Sequence, residues 1–438
     1  MPTRTRFALW SVLGALCALT ASAAFDAGPT YAIRNARIVP IAGPVIEKGT
    51  LIIRDGLIES LGGVDKIAIP EDAEIVEADG LTAYPGLISS HTNLLLEDPS
   101  AAAGLRGAAG MPTVPAVAAQ RGAGAAGETA AGTPELMALA QLKPLKTTID
   151  GYLKAGFTTV LVAPSRGIIQ GQSAVVNLNG TETGPMVLLT PAALHVNFTT
   201  NRGGGYPSSL MGTIAYIRQS FLDADHYANA KAVYAKNLTG MKRPVHDPFL
   251  EALVPYVRDK KPVIFQCNNV EDIKRALKII EEFKLAGILS QANEAWRAEA
   301  ALKASGAKLL VTLDFRPPNG SFYTSQGEDL RKKAEAEIYP SNPAALAKAG
   351  IAFSLTTFGL SDAAAALRNL RTAIKLGLPE DVALRALTLV PARTLGLDRQ
   401  VGSLEPGKIA NVILTKGALF DEKTQVERVF VDGVPWKF

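Results

Sequence analysis

Histidine is the scarce reactive residue of this chain, with four copies: His91, His195, His226 and His246. Imidazole binds metals and exchanges protons near neutral pH, so the placement of these four bounds the available chemistry. His91 follows two residues after the strand expected at Ala83 to Ser89, and His195 sits within the one expected at Met186 to Asn197, so both are placed by predicted strands. His226 falls in a long helical stretch with Asp223 and Asp225 and reads as solvated. His246 precedes Asp247-Pro248, a helix-start signature, and reads as a loop residue. Two histidines and an aspartate can hold one metal ion. The aspartates in reach are Asp314, near a strand end, and Asp362, just beyond Phe358. His91, His195 and Asp314 are therefore the catalytic candidates, and His91, His195 and Asp362 the metal candidates. Nothing in the spacing says whether they converge.

Other reactive types read more plainly. Strand alternation puts Gln266 and Cys267 on opposite faces, so Cys267 is expected to point outward into helix packing as a structural thiol. Gly203-Gly204-Gly205 lacks the strand, loop and helix context of a phosphate loop. Ser165-Arg166-Gly167 and Gln170-Gly171-Gln172 read as turns, with Arg166 able to face an anionic substrate. Arg331-Lys332-Lys333 and the glutamates after it form an ordinary charged face.

The elements that must position these residues come in two textures. Residues 31–79 read as short strands, among them Ala32–Val39, Thr50–Arg54 and Glu74–Ala78, with hairpin-turn chemistry at Asp55-Gly56. Ala410–Thr415 and Val426–Val431, before Asp432-Gly433, repeat that texture. One β-domain built from both chain ends is the economical reading. Between them, apolar runs alternate with helical patterns as βα units do. Strands are expected at 83–89, 158–163, 186–197, 262–266, 286–290, 308–313 and 351–356. Ser173–Asn177 is either the eighth or half of an inserted hairpin. Helices fit 144–155, 208–235, 270–283, 294–304, 343–349 and 363–376, with Asn342 and Ser361 or Asp362 placed as N-caps. Residues 100–133 are Ala/Gly-rich with no hydrophobic period and read as a mobile insertion.

The termini and composition narrow the class further. Arg4 and Arg6, an apolar run of about fourteen residues from Phe7 to Thr20, and Ala21-Ser22-Ala23 form a secretory signal, with cleavage expected after Ala23. The run is short of the ~20 residues a spanning helix needs, so a secreted or periplasmic protein without stable membrane insertion is expected. Cys17 raises a lipoprotein alternative, but Leu16 before it is too bulky for the usual lipobox. Cleavage would leave Cys267 as the sole cysteine and exclude an internal disulfide. The net charge is +4, of which Arg4 and Arg6 supply two, and aromatic residues make up only 6%. A polyanion or nucleic acid partner is not supported.

Tyr84-Pro85-Gly86-Leu87-Ile88-Ser89-Ser90-His91-Thr92-Asn93 resembles the first barrel strand of the amidohydrolase superfamily, usually P-G-[LF]-I-D-x-H-x-H. Ala386–Arg393 followed by Gly402–Asn411 is similar to that family's "ALT-x-x-PA … GSLEPGK-x-AD" passage. The imidazolonepropionase-like and dipeptidase-like branches are nearest. The resemblance implies an α/β fold: a TIM-type (β/α)8 barrel plus a small β-sandwich domain built from both chain ends. The implied boundaries are 1–23 for the signal, 24–82 and 398–438 for the β-domain, and 83–397 for the barrel. It further implies one or two divalent metals, Zn²⁺ or similar, at the C-terminal mouth, acting as Lewis acid or lowering the pKa of bound water. The ligand positions do not carry over. His91 matches, but Asn93, Gln266 and Gln291 stand where histidines are implied, and Phe358 where an aspartate is. Neutral amides bind Zn²⁺ weakly and phenyl not at all.

Two functions remain in competition. One is a hydrolase of C–N bonds, non-peptide or small-peptide, working with a single metal or none through His91, His195 and Asp314. The other is a catalytically silent barrel that binds a small polar molecule or partners an active homologue. Its mouth would be lined by Asn93, Gln266, Gln291, Phe358 and Arg166. Homo- or hetero-oligomers are compatible with either.

Overall fold

In a computed structural model of the protein, the described residues are 28–96, 131–200, 206–317, 322–325 and 327–438. The expected leader, the Gly203–Gly205 run and all but the last three residues of the 100–133 insertion lie outside them. Among the described residues no helix is long and apolar enough to cross a membrane.

The N-terminal strands are β1 (Tyr31–Ile38), β2 (Ile46–Arg54), β3 (Leu57–Gly63), β4 (Glu74–Glu77) and β5 (Thr82–Pro85). Asp55 and Gly56 both take positive φ, 51° and 76°, which closes the β2–β3 hairpin as their types predict. The chain then enters the barrel strands: β6 (Leu87–Thr92), β7 (Phe157–Val162), β8 (Ile169–Gln172), β9 (Ala174–Asn177), β10 (Val187–Leu189) and β11 (Leu194–Asn197). After these come β12 (Pro262–Cys267), β13 (Ala286–Gln291), β14 (Lys308–Thr312) and β15 (Ser354–Thr356). Finally β16 (Val412–Lys416), β17 (Gln425–Val431) and β18 (Val434–Lys437) return to the first region.

Both chain ends share one eight-stranded sheet in the order β18-β17-β16-β5-β1-β2-β3, with β4 also on β1. Its far edge curls back, because Ile58 N–H donates to Lys408 O and Gly407 N–H to Ile58 O. The two faces of the expected sandwich are thus parts of a single curled sheet. They enclose Ile33, Ile38, Leu51, Ile53, Val412 and Phe430.

The barrel strands form two ladders, β10-β9-β7-β6 and β15-β14-β13-β12-β11-β8. β6 with β7, and β11 through β15, run parallel as βα units require. The stretch 169–177 departs from a regular (β/α)8 pattern. It runs antiparallel to β7 through β9 and to β11 through β8, so it is both a barrel stave and one limb of a hairpin. The seam between first and last strands is closed by hydroxyls: Ser90 Oγ donates to Leu355 O at 3.1 Å, and Ser89 Oγ meets Thr357 Oγ1 at 2.9 Å. Gly86 lets β5 pass into β6, since a Cβ there would lie 2.1 Å from Thr158 Oγ1.

Helices pack outside: α1 (Lys146–Lys154), α2 (Leu210–Lys236), α3 (Pro248–Val257), α4 (Val270–Phe283), α5 (Glu299–Ser305), α6 (Asn342–Lys348) and α7 (Ala363–Lys375). Side-chain caps start four of them, at Ser209, Asp247, Asn269 and Asp362. Each such cap contributes about 1 kcal/mol. Asn342 is not the cap expected of it. Its buried amide accepts from Trp296 N–H and donates to Ala292 O, tying α6 to the end of β13.

Candidate functional site at the barrel mouth

Period-2 alternation sorts each barrel strand into a helix-facing and an interior set. Val263, Phe265, Cys267, Leu289 and Val311 belong to the large outer core, whereas Ile264, Ile288 and Leu310 form a separate interior apolar layer. Two residues further along, the same interior faces carry Gln266, Ser290 and Thr312. The barrel therefore changes from dry to polar toward the C-terminal ends of its strands, where the histidines lie. Cys267 is fully buried, and burial pushes its thiol well above its usual pKa, so it is an inert structural thiol.

The structure brings His91 and His195 together. Their ring centroids are 4.9 Å apart and both side chains are fully buried. His91 Nδ1 shares a 2.7 Å hydrogen bond with Ser290 Oγ, but its Nε2 has no protein partner. Neither ring nitrogen of His195 has one. Burial drives the pKa of His91 down to about 3. His195 is also held well below its usual value, by burial first and then by the neighbouring His91. Both rings are neutral at physiological pH. Phe358 stacks on His91 with centroids 4.2 Å apart, covering one imidazole face with a ring that offers no donor atom.

Amides fill out the same polar region. Gln266 accepts from Asn197 Nδ2 at 2.8 Å and donates to Gln170 Oε1 at 2.9 Å, so both ends of its amide are engaged. Gln170 Nε2 and Gln291 Oε1 are buried without protein partners. Gln291 and Ala292 take positive φ, 66° and 43°, an uncommon strain for non-glycine residues that turns the end of β13. Above lies a cavity of about 340 Å³, bounded by Asn268, Gln291, Asn293, Asp314, Arg316 and Phe358 among others. A larger groove of about 1030 Å³ runs at the opposite end, past Pro262, Ala286 and Lys308. Strand N-termini are not where barrel enzymes place chemistry.

The remaining candidates take other places. Asp314 does reach the cavity, but Arg316 grips its carboxylate through two bonds of 2.7 and 2.6 Å and also donates to Gly359 O. Its charge is already compensated. Gly359, at φ 91°, lies so close that a Cβ would be 2.5 Å from Asp314 Oδ2. Asp362 is exposed, and its carboxylate caps α7 by accepting from Ala365 N–H. Arg166 is exposed in the turn before β8 and does not bound the cavity. Asn93 is half-buried just after β6 and is likewise not among the cavity-lining residues. His226 and His246 are exposed, away from the pair.

Comparison with known proteins agrees with this architecture. Residues 335–435 match the model of the amidohydrolase family. An amidohydrolase structure from Thermotoga maritima superposes with a TM-score of 0.75 at 26% identity, covering 93% of this chain and all of that one. The C-terminal part of the chain thus resembles the amidohydrolase family, and its fold is that of an amidohydrolase. A second structure, that of a prolidase from Bifidobacterium longum, shares the fold with a TM-score of 0.51 at 17% identity, over 93% and 94% of the two chains. In sequence, adenine deaminase 2 of a Jannaschia species is 31% identical over 160 residues, 36% of this chain and 23% of that protein. The curated relatives it matches are aligned over less than a quarter of their own length.

The amidohydrolase resemblance implies a divalent metal at this mouth, and the residues present do not fit one. A dication in a poorly solvated pocket requires anionic compensation. The donors offered are two neutral imidazoles and an amide oxygen, while Phe358 covers His91 and the Asp314 carboxylate at the cavity is gripped by Arg316. Among the described residues no group of three or more His, Cys, Asp or Glu could hold a metal ion. Sequence reasoning missed Ser290, Asn197 and Gln170. Gln170 was expected in a turn and is instead buried in β8, because the glycine beside it marks not a loop but a close approach of Gly171 to Leu136 O. Buried glutamine in an apolar flank (Ile168-Ile169) was the available signal.

Proposed function

We propose that this protein is an exported amidohydrolase-superfamily barrel that binds a small, uncharged polar molecule at its mouth and does not act as a metal-dependent hydrolase. The carrying observation is the buried His91–His195 pair, whose ring nitrogens include three without a protein partner while the Asp314 carboxylate at the cavity is held by Arg316. Groups of this kind cost free energy when left unpaired, and in native proteins they mark a partner supplied by ligand or solvent. Neutral imidazoles and amides offer paired donors and acceptors but no net charge, which matches an amide-like or ureide-like molecule better than an ion. Export is supported by Arg4, Arg6, the apolar run and Ala21-Ser22-Ala23.

Hydrolysis of a C–N bond is the second reading. It is favoured by the convergence of two imidazoles and by the deaminase and amidohydrolase activities of the named relatives. Elemental analysis of protein purified without chelator, paired with calorimetric titration and turnover assays on adenine and a panel of small neutral amides, separates the two. We expect less than about 0.1 metal per chain, heat of binding for at least one amide, and no turnover even with added Zn²⁺ or Mn²⁺. Stoichiometric metal with turnover that disappears in His91→Ala would instead establish the hydrolase.

A further inference from the structure

Independently of the barrel mouth, helix α2 carries an apolar pattern that the fold leaves unused. Seven of the fourteen exposed large apolar side chains among the described residues fall between 206 and 245. Three of them lie on α2 itself: Met211 is 81% exposed, Leu222 52% and Val233 51%. Their spacing is eleven and eleven residues. Eleven residues complete three helical turns to within about 20°, so the three side chains share one stripe. The residues that continue the stripe between them, Ala215, Arg218, His226 and Asn229, are exposed as well. The opposite face, with Ile217, Phe221, Ala224 and Tyr227, is buried in the barrel's outer core or against α3.

We infer that this stripe is a homodimer interface in which α2 packs antiparallel on α2 of a second copy, with the two-fold axis at Leu222. The pattern is a palindrome about that residue. An antiparallel pair sets Leu222 on Leu222, Met211 on Val233, and Arg218 on His226 of the partner copy. An isologous contact must be self-complementary in this way. Charge selects the antiparallel arrangement over the parallel one. Parallel pairing would put Arg218 on its own copy, like on like, whereas the antiparallel one gives its guanidinium an imidazole acceptor and opposes the two helix dipoles. Arg218 is already oriented along the helix surface by Glu282, at 2.6 Å. The 27 residues span about 40 Å and a helix is about 10 Å across, so α2 itself supplies about 400 Å² per partner, half of a standard interface, and the apolar residues past its end supply more. Leu238 and Val245, 65% and 77% exposed, extend the apolar surface past the C-terminus of α2.

Sedimentation of the full chain near 10 µM, a concentration at which standard interfaces are occupied, tests this directly. A dimer is expected, and Leu222→Glu should raise its dissociation constant at least about 100-fold by placing two carboxylates on the axis. Because Leu222 is half-exposed, that variant should keep the wild-type circular dichroism spectrum at 25 °C, so loss of the dimer cannot be confused with unfolding. Cysteine cross-linking fixes the geometry. Leu222→Cys should oxidise to a covalent dimer, Met211→Cys alone should not, and a chain carrying both Met211→Cys and Val233→Cys should. A monomer at that concentration, a dimer indifferent to Leu222→Glu, or cross-linking of Met211→Cys alone would each overturn the inference. A monomer that sediments with anionic vesicles would assign the stripe to a membrane surface instead, and would equally overturn it.

Discussion

Two buried polar clusters in this molecule invite comparison, because the same residue types meet opposite fates in them. At the junction of curled sheet and barrel, Asp432 accepts from Asn177 and Asn179, and its own N–H donates to Asn411. Asn411 in turn donates to Thr159 and Asn177, and Thr159 donates to Asn177. Asp432 and these four neighbours are all paired within the protein, and the cluster staples the 169–197 hairpin to the C-terminal strands. At the mouth, His91, His195, Gln170 and Gln291 leave five buried polar atoms without protein partners. A saturated network rigidifies, while an unsaturated one waits for a partner. Buried polarity alone therefore does not distinguish lock from site; its completeness does.

Acid should break the mouth before the junction, with the largest effect. The folded state keeps His91 and His195 neutral at pH values where the unfolded chain binds protons. The His91 contribution is thus full above about pH 6.5 and falls as pH drops toward about 3, by up to about 1.4 kcal/mol per pH unit, and His195 adds a loss of the same sign. Urea unfolding measured from pH 7 to 5 should show this slope, and His195→Gln should remove about half of it. A flat profile would mean that the pair is not held neutral.

Mutation at neutral pH should reverse the ranking of the two clusters. Asp432→Ala strips the acceptor from two buried amides and places alanine at φ 51°, costing about 3 kcal/mol by urea titration. His195→Leu removes a ring whose nitrogens have no partner in the protein, and should change stability by no more than about 1 kcal/mol in either direction. Comparable losses from the two would erase the distinction drawn between them. The smallest effect is expected from chelation: on the proposed metal-free reading, prolonged treatment with a strong chelator should move Tm by less than about 1 °C. A larger drop would restore the metal site.

Much of the architecture was legible in the residues. The Asp55-Gly56 turn, the caps at Asp362 and Asp247, the extent of α4 and the outward Cys267 follow from local backbone chemistry and short periods. The resemblance at Tyr84–Asn93 and Gly402–Asn411 pointed to the family, and it implied replaced ligand positions at Gln266, Gln291 and Phe358. Helix caps and turns are written within a few residues, so sequence alone determines them. Convergence is different in kind. His91 meets Ser290 across 199 residues, and Ser89 meets Thr357 across 268. Which strand ends face one another depends on barrel closure and register, and no local rule encodes either. Only the tertiary structure could bring His91 to His195, hand Asp314 to Arg316, bury Gln170 rather than leave it in a turn, and set Phe358 over the imidazole. Those choices reflect long-range packing, where a group's energy depends on whether a distant neighbour arrives to satisfy it.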